Sequence, residues 1–135
     1  MTAPSVEQLF AEAGAAIASL LIDNPEAIEP RQTVTIDVEA DDLEGLFVDW
    51  LRELIYRFET EHLLFRECSI SFADDHRATF ARQASAPRRL RATCRGEPVD
   101  WTRHEPGSEL KAVTYHQLRV ARTATGWEAS VIVDI

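Results

Sequence analysis

Glu97, Asp100, His104, Glu105 and Glu109 crowd into the stretch GEPVDWTRHEPGSEL at positions 96–110. Carboxylates beside an imidazole are the residue types that acid–base catalysis and metal-assisted hydrolysis require, because each can exchange a proton or offer a hard donor atom. A small metal-dependent hydrolase using Glu97, Asp100 and His104 is therefore one reading of the chain. The same stretch holds two prolines and two glycines, so it reads as a loop, and loops are polar whatever their function. No second histidine and no cysteine joins the group. Motifs for a nucleophile elbow, a P-loop, a dinucleotide fold or a zinc protease are absent, which leaves an independent enzyme little support.

The C-terminus, V-I-V-D-I, is more specific. Asp134 offers a side-chain carboxylate, and Ile135 offers the terminal carboxylate one residue on. Two hard oxygen donors so close together suit Ca²⁺ or Mg²⁺ rather than a soft metal, and such ions want about six oxygens or more. Tyr115-His116 is expected on a strand surface, and His62 and His76 are expected in solvent. Cys68 and Cys94 lie 26 residues apart and form neither a CxxC pair nor a zinc-ribbon spacing. Each falls in an alternating apolar stretch, which predicts buried free thiols and a reducing cytoplasm.

Six arginines fall between positions 77 and 95: Arg77, Arg82, Arg88, Arg89, Arg91 and Arg95. Apart from Phe80, no aromatic residue is interleaved with them, as an RNA-reading sheet would want. They are expected to line an exposed sheet edge, where charge discourages edge-to-edge association. An RNA-binding module is the third reading.

The elements that must position these groups follow from periodicity. Ser5 and Gln8 have capping-box spacing, and Val6, Leu9, Phe10, Ala13, Ile17, Leu20 and Leu21 predict a helix over 5–23 that stops at Asn24-Pro25. Asp41 and Glu44 open a second helix, 42–61, with Leu43, Leu46, Phe47, Trp50, Leu51, Leu54, Ile55 and Phe58 along one stripe. Strict alternation over 33–40 predicts a half-buried strand. Further strands are expected at 64–73, 77–84, 89–95, 111–122 and 127–135, with turns at Asp74-Asp75 and Thr125-Gly126 and a break at Ala86-Pro87. No strand is expected before the first helix. The pattern is α+β, a two-layer sandwich with two amphipathic helices on one face of a mostly antiparallel sheet.

With 135 residues, 45% hydrophobic and 27% charged, the chain has the size and composition of one globular domain, 1–135. No apolar run approaches the ~20 residues of a membrane span, and the first residues do not resemble a secretory signal. Residues 1–65 carry 14 Asp/Glu against 3 Arg, a net of −11, whereas the remainder carries +2. A surface of net charge −9 repels a phosphate backbone, so a basic protein or a cation is the better partner.

Taken together, Gly96-Glu97-Pro98-x-Asp100-x3-His104, Glu109-Leu110-Lys111-Ala112-Val113-Thr114-Tyr115-His116, Gly126-Trp127-Glu128-Ala129 and Val131-Ile132-Val133-Asp134-Ile135 resemble the archease family. The helix Leu46–Tyr56 is similar to that family's W-L-x-E-L helix, and Leu9-Phe10-Ala11-Glu12-Ala13 also fits. The resemblance implies a two-layer α+β sandwich and an accessory protein, not itself a ligase, for an RtcB-type RNA ligase in tRNA splicing and RNA repair. Such a protein promotes guanylylation of the ligase's active-site histidine and its multiple turnover. It also implies a Ca²⁺-type site whose ligands here are Asp134 and Ile135, with a third from an Asp in an N-terminal H-T-A-D motif. This chain has no counterpart of that motif. It begins where the first helix is about to start, which points to a start placed too late or to a naturally short member. Thr2-Ala3 is not expected to replace the missing motif, since no acidic residue precedes Glu7.

Overall fold

Ser5 and Asp42 start the two helices of the computed structural model, which describes residues 1–72 and 89–135. The Ser5 hydroxyl accepts from the Gln8 N–H at 3.1 Å, and the Asp42 carboxylate accepts from the Gly45 N–H at 2.7 Å. Each satisfies a backbone donor that the first helical turn leaves orphaned. The second cap is Asp42, one residue later than the Asp41–Glu44 spacing predicts. The first helix, α1, runs Val6–Leu21, and the second, α2, runs Leu43–Glu61. His62, in left-handed geometry at φ 58°, closes α2, and it is exposed as expected.

The strands are β1 (Thr2–Ala3), β2 (Gln32–Glu39), β3 (Leu63–Phe72), β4 (Arg89–Pro98), β5 (Ala112–Thr123) and β6 (Gly126–Asp134). They form two antiparallel three-stranded sheets, β2-β4-β3 and β1-β6-β5. With the helices against them, this is an α+β sandwich. α1 packs chiefly on β3, and α2 touches β5, β2 and β3. The turn at Asp74-Asp75, the strand 77–84, the break at Ala86-Pro87, and His76, Phe80, Arg77, Arg82 and Arg88 lie outside the described residues.

A short strand does precede α1, contrary to expectation. Thr2 pairs with Glu128 and Ala3 with Trp127, and the Ala129 N–H donates to the Met1 carbonyl at 2.9 Å. Two residues are too few to show a period, which is why the sequence conceals β1. Gly126 makes room for it: a Cβ at that position would collide with the Ala3 carbonyl. Gly96 does the same between β3 and β4, where the register shifts at Phe65/Glu67 and a Cβ would overlap the Leu64 carbonyl.

The core gathers around Trp50, Phe10 and Phe47, all fully buried. The Phe10 ring meets Phe47 edge-on at 5.1 Å and Phe72 at 5.2 Å, the geometry that aromatic quadrupoles favour. The Trp50 indole N–H donates to the Phe10 carbonyl at 2.9 Å, tying α2 to α1. Leu20, placed on the apolar stripe by its spacing, is 36% exposed.

Arg89, Arg91 and Arg95 do not line an edge. They project from the outer face of β4, the central strand, each beside an acid on a neighbouring strand. Arg91 meets Asp37 at 2.8 Å, Arg89 meets Glu39 at 3.4 Å and Arg95 meets Glu67 at 3.4 Å. Exposed pairs of this kind stabilise a fold by little. Their effect is to cancel the positive charge that an RNA backbone would need.

Candidate functional site

Glu97 begins as an end-of-strand problem. It is the second-last residue of β4, not a loop residue, and its side chain is only 2% exposed. A buried carboxylate survives only when its oxygens are fully paired. Here one oxygen accepts from the Glu29 N–H at 2.8 Å and faces His104 Nε2 at 3.0 Å. The other accepts from Arg103 at 2.6 Å, with the Arg31 guanidinium 3.6 Å away.

His104 is equally committed. The Asp100 N–H donates to its Nδ1 at 2.9 Å, so the ring proton resides on Nε2 and points at Glu97. Asp100 itself caps the turn that delivers His104. Its carboxylate accepts from the Thr102 hydroxyl at 2.6 Å and the Thr102 N–H at 3.0 Å, and its carbonyl accepts from the His104 N–H at 2.7 Å. The Thr102 hydroxyl and N–H hold the Asp100 carboxyl below its ordinary range. The following segment is zipped to the end of α1: Asn24 bonds the Arg103 carbonyl and the Glu105 N–H, and Gly107 N–H donates to the Leu21 carbonyl.

The three residues of the hydrolase reading are thus brought together, as that reading requires. Yet His104 has no free lone pair to act as a base, and no oxygen of Glu97 is open to a substrate. The arrangement is a clasp that joins β4, the Glu29 segment and the 100–107 loop. Sequence spacing identified its members but not the Glu29 N–H or Arg103, which complete it.

The clasp carries a pH signature. Burial pushes the Glu97 carboxyl upward, but the Glu29 N–H, Arg103 and His104 outweigh it and hold the carboxyl below its ordinary value of 4.5. A carboxyl depressed by folding contributes stability that is complete above the unfolded-state pKa and lost as pH falls through the folded one. The advantage of the wild-type chain over Glu97→Gln in urea unfolding is therefore expected to be constant near neutrality and to shrink below pH 4.5. An advantage that grew on acidification would contradict the clasp. The charged groups facing Glu97 are Arg103, Arg31 and, through Arg103, Glu29 and Asp100.

At the C-terminus, Asp134 is exposed and Ile135 is 68% exposed. The Asp134 carbonyl accepts from the Lys111 N–H at 2.8 Å, and Asp134 pairs with Ala112 across the β5–β6 hairpin. The donors are of the kind a hard cation takes, but two carboxylates fall short of its usual oxygen count. Among the described residues no group of three or more His, Cys, Asp or Glu is placed to hold a metal. Tyr115 and His116 lie on exposed β5, Tyr115 under the Arg52 guanidinium at 5.1 Å.

Among the described residues no helix is long and apolar enough to cross a membrane. The model of the archease protein family (MTH1598/TM1083) matches residues 1–135. Protein archease of Methanosarcina barkeri is 36% identical over 129 residues, which cover 96% of this chain and 82% of that one. Protein archease of Methanopyrus kandleri is 35% identical over 133 residues, covering 98% and 88%. Two solved structures share the fold. The solution structure of Methanobacterium thermoautotrophicum protein 1598 has a TM-score of 0.66 at 22% identity, covering 94% of this chain and 82% of that one. The crystal structure of an archease, possible chaperone, from Thermotoga maritima has a TM-score of 0.65 at 19% identity, covering 100% and 87%.

Proposed function

The chain belongs to the archease family, and from that premise we propose that it is a protein cofactor of an RtcB-type RNA ligase. In this reading it promotes guanylylation of the ligase's active-site histidine and sustains multiple turnover in tRNA splicing and RNA repair. The family match over the whole chain is the observation that carries the reading. The closed Glu97–His104 clasp supports an accessory role over a hydrolytic one, and the neutralised arginines of β4 support a protein partner over direct RNA binding. A net charge of −9 complements a basic, RNA-handling surface.

Asp134 and the Ile135 carboxylate would hold a divalent cation, Ca²⁺ in the resemblance, as part of this role. Such a cation would supply local positive charge near the ligase's nucleotide. The register of β6 supports the placement of a further donor. A strand continuing β1 toward lower numbers, past Thr2↔Glu128, would run alongside β6 to Asp134. That is where the H-T-A-D aspartate of the resemblance would be supplied.

The test is single-turnover guanylylation of the cognate ligase with GTP, with and without the chain, across Ca²⁺ and Mg²⁺ concentrations. The chain is expected to accelerate guanylylation, and Asp134→Lys is expected to weaken that effect. A ligase that responds neither to this chain nor to one extended by an H-T-A-D strand would overturn the proposal. Activation that survives Asp134→Lys unchanged would refute the role of the C-terminal carboxylates.

A further inference from the structure

Cys68 and Cys94 are the only cysteines of the chain, and the role proposed above makes no use of them. Both are free thiols, Cys94 buried and Cys68 half-buried. They stand directly opposite each other on β3 and β4, on the face turned toward the core. Opposed residues of an antiparallel pair have Cα atoms about 4.5–5.5 Å apart, inside the span of about 4.4–6.8 Å that a disulfide bridges. Gly14 of α1 lies over them: a Cβ there would come 3.8 Å from Cys68 Sγ and 3.3 Å from the Trp50 ring.

We propose that this pair is a reversible oxidation site, in which a peroxide or a small disulfide closes a cross-strand Cys68–Cys94 bond. With hydrogen peroxide, Cys68 Sγ, the more accessible sulfur, attacks an oxygen and breaks the O–O bond. One water leaves and Cys68 becomes a sulfenic acid. Cys94 Sγ then attacks that sulfur, the S–S bond forms, and the hydroxyl departs with the Cys94 proton as a second water. Two thiols have lost two electrons, and one peroxide has become two waters. The neighbouring Cys94 thiol and burial push the Cys68 pKa far above its ordinary range. Thiolate is therefore scarce and closure is slow. The site answers sustained oxidation rather than a brief pulse, and it stays open in a reducing compartment. Closure fastens β3 to β4 and completes a covalent ring from residue 68 to residue 94.

The experiment equilibrates the whole chain in glutathione redox buffers, folded and in urea, then alkylates it and reads the intact mass. A fold that presents the two sulfurs to each other must favour the bond, and the bond must in turn favour the fold. The folded chain is expected to be half-oxidised at a glutathione disulfide level about tenfold lower than the unfolded chain, as an intrachain species lacking two hydrogens. The oxidised chain is expected to melt higher, by about 5 °C, the same tenfold preference read as a temperature. Cys68→Ser, which cannot close the bond, should melt at one temperature across the redox series. Equal oxidation of folded and unfolded chains, glutathione adducts in place of the bond, interchain dimers, or a Cys68→Ser melting point that tracks the wild type would each overturn the proposal.

Discussion

Replacing Glu97 with alanine is expected to destabilise the chain by about 3–5 kcal/mol, the usual cost of removing one partner from a buried charge network. The loss does not come from the Arg103 ion pair alone, since Arg103 is one-third exposed and can turn to water. It comes from what is left inside. The buried His104 Nε2–H loses its acceptor, and so does the Glu29 N–H. Total stabilities of single domains are about 5–15 kcal/mol, so the substitution consumes a large share. Glu97→Gln keeps the shape and one acceptor and should cost less, about 1–3 kcal/mol. Urea unfolding monitored by tryptophan fluorescence measures both. The second readout is ligase guanylylation per folded molecule, which should be unchanged in either variant. A variant that folds as stably as the wild type but fails to activate would show that Glu97 meets the partner directly.

Trp50→Ala is the other large effect, expected at about 3–5 kcal/mol from a cavity that the surroundings cannot close. Trp50 is fully buried and fixed on three sides, by the Phe10 carbonyl, by Gly14 and by the α2 stripe. Trp50→Phe separates two contributions. It keeps most of the apolar volume and removes the indole N–H, so it should cost about 1–2 kcal/mol more than a volume-matched change elsewhere. If Trp50→Phe proved as damaging as Trp50→Ala, the hydrogen bond between helices would outweigh packing. If Trp50→Ala were nearly neutral, the core described around Phe10 and Phe47 would be wrong.

The helices were legible because seven or eight apolar residues repeat a 3.6-residue period, and one slipped cap at Asp42 does not disturb that signal. The inner faces of β2 and β3 were legible for the same reason at period two. The division of the strands into two sheets was not, because pairing is decided between residues such as Asp37 and Arg91 that lie far apart in sequence. The arginines illustrate this. Charge on a strand reads the same at an edge as on the outer face of a central strand, and only the register with β2 and β3 separates the two. Glu97 was legible as chemistry but misread in setting. Gly96 and Pro98 beside it signal a turn, while the Glu29 N–H that permits its burial is 68 residues away. The family resemblance reached further than periodicity could, since it rests on residue identities and not on spacing.

The order β2-β4-β3 has a consequence for synthesis. The strand that joins the other two is made last of the three. β2 ends at Glu39, and its partner Arg89 emerges about 50 residues later, an interval of roughly 3–10 s at 5–20 residues per second. Once Phe72 is made, the nascent chain holds two strands, β2 and β3, that do not pair with each other. Only α1 and α2, both already made, can shelter their apolar sides. The ribosome therefore delivers a helical half first, and the first sheet closes around a strand arriving late.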